Sequence, residues 1–161
     1  MERVYITVYG IDKLKAELEN LKQVERPNII EAIAEARSHG DLSENAEYHS
    51  AKEKQSFIEG RIQELEAKIS VADVINPEEL NETKVVFGAT VTAVDVDTDE
   101  EKVYAIVGQD ESNTDKNLIS VSSPIARAFI GKEEGDEVIV RTPGGQRTFE
   151  IEKIEYKKID V

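Results

Sequence analysis

The chain has 161 residues, enough for one ordinary domain or two small ones. Its net charge of −14 argues against binding of free duplex DNA, which needs a basic footprint. It has no Cys, so disulfides, thiol catalysis and Cys-based zinc sites are excluded. No run of about 18 apolar residues occurs, so no membrane span is expected. The opening MERVYITVYG lacks the apolar run of a signal peptide, and a cytoplasmic location is the expectation.

Residues 11 to 75 read as helix. Leu14, Leu18 and Leu21 are spaced four and three apart. Tyr48, Ala51, Gln55, Ile58, Ile62, Leu65, Ile69 and Ala72 keep a three-four alternation over more than three heptads. Glu, Lys, Gln and Arg fill the remaining positions, so each helix has one narrow partner stripe. Pairing Leu14 with Ile69, Leu18 with Leu65 and Leu21 with Ile62 gives an antiparallel hairpin that folds back near 40 to 43. Gly40 is suited to ending the first arm. Asp41, with Glu44 three residues later, is suited to capping the second. Arms of roughly 28 residues extend about 40 Å. Pro27 is expected to bend the first arm, and Gly60 either weakens the second or permits close helix approach.

A polar linker, NPEELNET, follows at 76 to 83, and the apolar period then changes to two. Residues 85 to 96 and 102 to 107 read as strands around an Asp97-Thr98-Asp99-Glu100 turn. Residues 137 to 141 and 146 to 156 make a second hairpin around Pro143-Gly144-Gly145. Pro124 to Ile130 reads as a short helix after a Ser122-Ser123 cap. The expected class is α+β: a coiled-coil hairpin over 1–76, a linker over 77–83 and a small antiparallel sheet-plus-helix domain over 84–161. The Asp95-Val96-Asp97-Thr98-Asp99 run imitates a calcium loop, but Glu100 stands where Gly is needed and strands flank it, so it reads as a hairpin turn. His39 and His49 read as solvated or packing side chains near the fold-back, and Tyr48 as seam packing.

Asp41 and Glu44 are the residues with chemistry open to them. As a capping box they are purely structural. As two carboxylates on one side of a helix start, they supply two oxygens to Mg²⁺, which wants six. A partner would then have to complete the site.

The run Arg37-Ser38-His39-Gly40-Asp41-Leu42-Ser43-Glu44-Asn45-Ala46-Glu47-Tyr48-His49 resembles the tip of the bacterial GreA/GreB transcript-cleavage factors, and so does Phe57-Ile58-Glu59-Gly60-Arg61-Ile62. In the second half the resemblance extends through Val86-Phe87-Gly88-Ala89-Thr90-Val91, Asn117-Leu118-Ile119-Ser120, Ser123-Pro124-Ile125-Ala126-Arg127, Gly131-Lys132-Glu133-Glu134-Gly135-Asp136 and Thr142-Pro143-Gly144-Gly145. It covers essentially the whole chain and is nearest the GreA branch.

The resemblance implies an N-terminal antiparallel coiled coil and an FKBP-like C-terminal domain. It implies that the coiled coil enters the secondary channel of bacterial RNA polymerase. There Asp41 and Glu44 would hold a Mg²⁺ jointly with the enzyme, which hydrolyses backtracked RNA itself, so the chain would not be an enzyme. Arg37 and Lys52 match a basic cluster associated with the RNA 3′ segment; read from the residues alone, they are a solvated helix face. Ser123, Pro124, Ile125, Ala126 and Arg127 match the region that docks on a polymerase coiled coil at the channel rim. Two other functions stand beside this one. A peptidyl-prolyl isomerase would need an aromatic-lined pocket from Phe87, Tyr104, Phe129, Phe149 and Tyr156. A coiled-coil chaperone would need exposed apolar side chains at the tip, where Leu42 is the one large aliphatic.

Overall fold

The structure is a computed structural model that describes residues 2–42 and 44–161. It separates into two compact units: Asp12–Val71, and the residues up to Ile11 together with Ala72–Val161. The first eleven residues and the segment from 72 therefore belong with the sheet, whereas the sequence pattern placed both with the hairpin.

The helical unit is built from α1 (Val8–Asn20, which starts in the other unit), a π-helical turn at Leu21–Glu25, α2 (Arg26–Arg37) and α3 (Ala46–Ser70). Pro27 is the second residue of α2. Its ring lacks an N–H and crowds the carbonyl of the preceding turn. The π turn directly before it takes up one extra residue, with Arg26 N–H donating to the Leu21 carbonyl. The expected bend is thus a bulge in a continuing helical arm, and the apolar stripe resumes beyond it at Ile29 and Ile33.

Leu21, Ile29, Ile33, Ile58, Ile62 and Leu65 form the buried seam, with Leu14, Leu18, Tyr48 and Ala51 packed against it. Polar links run across the arms beside the seam. Arg61 donates twice to Glu17, at 2.6 and 2.9 Å. Arg26 donates twice to Glu59, at 2.8 and 2.7 Å. The Asn45 amide donates to the Ala36 carbonyl at 2.6 Å. The sequence separations shrink from 44 to 33 to 9 toward the turn, as an antiparallel return requires. The guanidinium hydrogen bonds hold the carboxyls of Glu17 and Glu59 below their ordinary value, against the opposing effect of desolvation. Such exposed pairs fix register more than they add stability. Gly60 has open space where a Cβ would stand, so it serves no close helix approach.

In the second unit, β1 (Val4–Thr7) pairs in parallel with β2 (Ala72–Ile75), Val4 opposite Ala72. The helix expected over 11 to 75 therefore gives way to a strand at its end. A 3₁₀ turn at Pro77–Glu79 follows, capped by Asn76. The main sheet runs β5-β4-β3-β7-β6, formed by Leu118–Ser120, Glu101–Val107, Thr90–Asp95, Gly145–Glu155 and Glu137–Thr142. Both expected hairpins are present. The sheet is mixed rather than wholly antiparallel, because β5 pairs in parallel with β4 after an intervening loop of 3₁₀ turns. The fold is α+β, as expected.

The core beneath the sheet gathers Val85, Val91, Ile106, Val138, Val140 and Ile151 around Phe129 and Phe149. The last two rings meet edge to face at 6.0 Å. Phe129 has no exposed surface and Phe149 keeps 3%. These aromatics fill the core, which removes the main support for an isomerase pocket. Asp95 is buried and closes the β3–β4 turn: one oxygen accepts from Asp97 N–H at 2.9 Å, the other from Arg147 at 3.2 Å. Those bonds hold its carboxyl below the ordinary value, the Asp97 N–H contributing most. The residues form a turn and not a calcium loop. Among the described residues no helix is long and apolar enough to cross a membrane.

Candidate functional site

The turn between α2 and α3 presents the two acids. α2 ends at Arg37, and Gly40 takes a φ of +115°, a conformation that side chains with a Cβ rarely adopt. Asp41, Leu42 and Glu44 are all exposed. The sequence pointed to Asp41 as the cap of the second arm, but the cap is Asn45, in an extended conformation, with its side-chain oxygen accepting from Tyr48 N–H at 3.1 Å. Asp and Asn cap equally well. Asn45 has the position because its amide also reaches back to Ala36. The same side chain therefore starts α3 and ties it to α2. This leaves both Asp41 and Glu44 on the loop, outside the cap position.

Around this turn His39 Nδ1 stands 3.3 Å from a Glu47 carboxylate oxygen. Glu47, the nearest further carboxylate along α3, is thus turned toward His39. The Arg37 guanidinium lies 5.8 Å from the centre of the Tyr48 ring, a cation–π distance. Lys52 follows Tyr48 by four residues, one turn along the same face, is exposed, and donates to Gln55 at 3.3 Å. Arg37 and Lys52 accordingly flank Tyr48 close behind the acids. Among the described residues no group of three or more metal-binding side chains stands together. The donor set at the turn is two exposed carboxylates, hard oxygen ligands of the class that Mg²⁺ takes, supplying a minority of its six positions.

The second candidate segment opens α4 (Pro124–Phe129). The Ser123 hydroxyl accepts from Ala126 N–H at 3.3 Å, and Pro124 occupies the first turn, where its missing N–H is no loss. Pro124 and Arg127 are exposed, Ser123 and Ile125 half-buried. Ala126 has no exposed surface and is part of the core. It seats the helix and does not itself present a surface to a partner, a correction to its place in the docking set. Beside α4 lies an open cleft of about 510 Å³ lined by Arg127, Ile130, Lys132 and Ile139.

Residues 4–74 match the family model described as transcription elongation factor, N-terminal, and residues 80–156 the one described as transcription elongation factor, GreA/GreB, C-term. The chain belongs to the GreA/GreB family of transcription elongation factors. It is 64% identical to transcription elongation factor GreA of Ruegeria pomeroyi over 97% of this chain and 99% of that one. It is 62% identical to GreA of Hyphomonas neptunium over 98% and 100%. A crystal structure of GreA factor homolog 1 of Thermus thermophilus aligns over 96% of this chain and 99% of that one, with 26% identity and a TM-score of 0.44. A GreA/GreB factor acts on RNA polymerase and is a transcription elongation factor, not itself an enzyme.

For a GreA/GreB tip, the residue that sequence reasoning passed over is Asn45. Its signal was present: an Asn directly before a helical run is a strong cap. Asp41 and the acid three residues on matched a more familiar pattern and drew the assignment away.

Proposed function

We propose that the chain inserts its hairpin into the secondary channel of bacterial RNA polymerase and stimulates the polymerase to cleave backtracked RNA. The observation that carries this reading is the turn itself. Two exposed carboxylates sit on a short loop whose ends are clasped by Asn45, at the closed end of two long helices.

In this reading Asp41 and Glu44 hold a Mg²⁺ together with polymerase ligands. When bound, that ion supplies Lewis-acid stabilisation of the phosphate and a water of lowered pKa. The loop presents the carboxylates, while the seam keeps the arms together behind it. Arg37, stacked on Tyr48, and Lys52 face phosphates of the RNA 3′ segment. Lys52 acts there as a point charge without a guanidinium fork. The start of α4, with Pro124 and Arg127 exposed and Ser123 and Ile125 half-buried beside them, docks on the coiled coil at the channel rim. Hydrolysis belongs to the polymerase, and the factor works where that enzyme does, in the cytoplasm.

Asp41→Ala and Glu44→Ala are each expected to abolish stimulated cleavage in stalled complexes while polymerase binding persists. Transcript cleavage and a competition binding assay on the same preparations check this. Normal stimulation by both variants rejects the tip mechanism.

A further inference from the structure

Side chains alternate between the two faces of the sheet along β4. Ile106 enters the core around Phe129, while Ala105 and Val107 face the other way. On that second face Ala105, Val107 and Leu118 pack with Ile159, which is 4% exposed. Ile159 anchors one end of the short segment after β7. Tyr156 anchors the other: its hydroxyl donates to the Lys84 carbonyl at 2.5 Å and accepts from Val86 N–H at 3.1 Å. Lys157 and Lys158 are therefore a two-residue span held between two anchors, and both are exposed. With Lys116 they rim an open cleft of about 320 Å³. Its floor includes Val103, Ala105, Leu118 and Thr90, the last directly opposite Ala105 in the β3–β4 register.

Two observations set this cleft apart. The first is charge. The chain carries 34 acidic and 20 basic residues, yet lysines crowd this rim. Glu155 is shared between Lys153 and Lys157, at 3.4 and 3.5 Å. Asp160 is 97% exposed and stands 4.0 Å from Lys116. Lys158 has no ion-pair partner among the described residues. The second is Thr90. It is 5% exposed, yet its hydroxyl has no hydrogen-bond partner among the described residues. No sealed polar side-chain atom among those residues lacks a partner, so this hydroxyl opens on the cleft. A hydroxyl this deep is costly without a bond, and an anion in the cleft would supply one.

We propose that the cleft binds a small molecule carrying two or more phosphates, with phosphate oxygens on Lys116, Lys158 and the Thr90 hydroxyl and the uncharged part over Val103 and Leu118. Several ammonium groups suit a multiply charged anion better than a single carboxylate. The volume is at the lower end for small-molecule sites. No aromatic side chain among the described residues lines the cleft to stack a base, which favours a small ligand over a nucleic-acid strand. Such binding is independent of the polymerase reading, and no polymerase enters its test.

The test is an NMR titration of the full chain with inorganic pyrophosphate, at ionic strength matched with chloride. The amides of Thr90, Ala105, Leu118 and Lys158 are expected to shift together, with half-saturation below about 1 mM. Thr90→Val keeps the shape and removes the hydroxyl. It is expected to weaken binding on the order of tenfold, the size of a lost hydrogen bond to a charged group, without lowering the melting temperature. Lys116→Gln combined with Lys158→Gln is expected to weaken binding on the order of tenfold or more. Lys132→Gln, outside the cleft, should change it by less than about twofold. Half-saturation above about 1 mM overturns the proposal, as does unchanged affinity in Thr90→Val. An effect of Lys132→Gln as large as that of the double variant also overturns it, since binding would then follow overall charge. If Thr90→Val does not fold, the double variant decides, because both lysines are exposed. A short single-stranded RNA separates the sources: if it moves the same amides at lower concentration than pyrophosphate, the site serves nucleic acid and the small-molecule assignment fails.

Discussion

The turn that carries Asp41 and Glu44 and the short helix that carries Pro124 and Arg127 are built in opposite ways. The turn has almost nothing buried under it: Asp41, Leu42 and Glu44 are exposed, and Asn45 supplies both the helix cap and the clasp to Ala36. The helix α4 is seated by its own residues, with Ala126 and Phe129 fully buried in a core shared by four strands of the sheet. In the proposed function, carboxylates that share another molecule's metal cannot be locked into their own protein's core. The docking face proposed for α4, by contrast, needs a fixed shape, and packing provides it.

Substitutions can break that contrast. The largest effect belongs to the packed side. Phe129→Ala should destabilise the sheet unit by about 3–5 kcal/mol, the range for deleting a buried aromatic, as read by denaturant unfolding of the full chain with fluorescence from the tyrosines. A loss below about 1 kcal/mol would mean that α4 is not held by its core. At the turn, Asn45→Ala should cost only about 1 kcal/mol of hairpin stability, a typical cap loss, followed by helical circular dichroism. It should nevertheless lower stimulated cleavage, because the loop loses its clasp. The smallest change is a gain. Gly60 is helical with open space at its Cβ position, so Gly60→Ala should stabilise α3 by up to about 1 kcal/mol. A loss in the same melt would show that the position is constrained by something other than helix propensity.

How far the sequence could be read follows the same division. The seam was legible because Leu14, Leu18, Leu21, Ile58, Ile62 and Leu65 repeat at the period of two helices in contact. The two antiparallel hairpins, β3–β4 and β6–β7, were legible from alternation around Asp97–Glu100 and Pro143–Gly145. What escaped was non-local or decided by a single bond. Four-residue strands at Val4–Thr7 and Ala72–Ile75 pair in parallel across the whole hairpin, and no local pattern announces a partner that distant. The short β5 joins its neighbour in the same way. The π turn before Pro27 has the same apolar content as an α turn, so periodicity alone does not distinguish it. Asp41 and Asn45 are equal candidates for the cap on propensity, and the reach of the Asn45 amide to Ala36 decides between them. The acids themselves were found in the sequence; their place on the loop, outside the helix cap, needed the structure.

The most direct measurement is the Mg²⁺ dependence of transcript cleavage by a stalled polymerase at limiting metal, without factor, with the wild-type chain and with an Asp41→Asn chain. Asn keeps the shape and removes the charge. The account predicts that the wild-type chain lowers the Mg²⁺ concentration needed for half-maximal cleavage and that Asp41→Asn does not, although both occupy the polymerase. An equal shift by the two chains would contradict it.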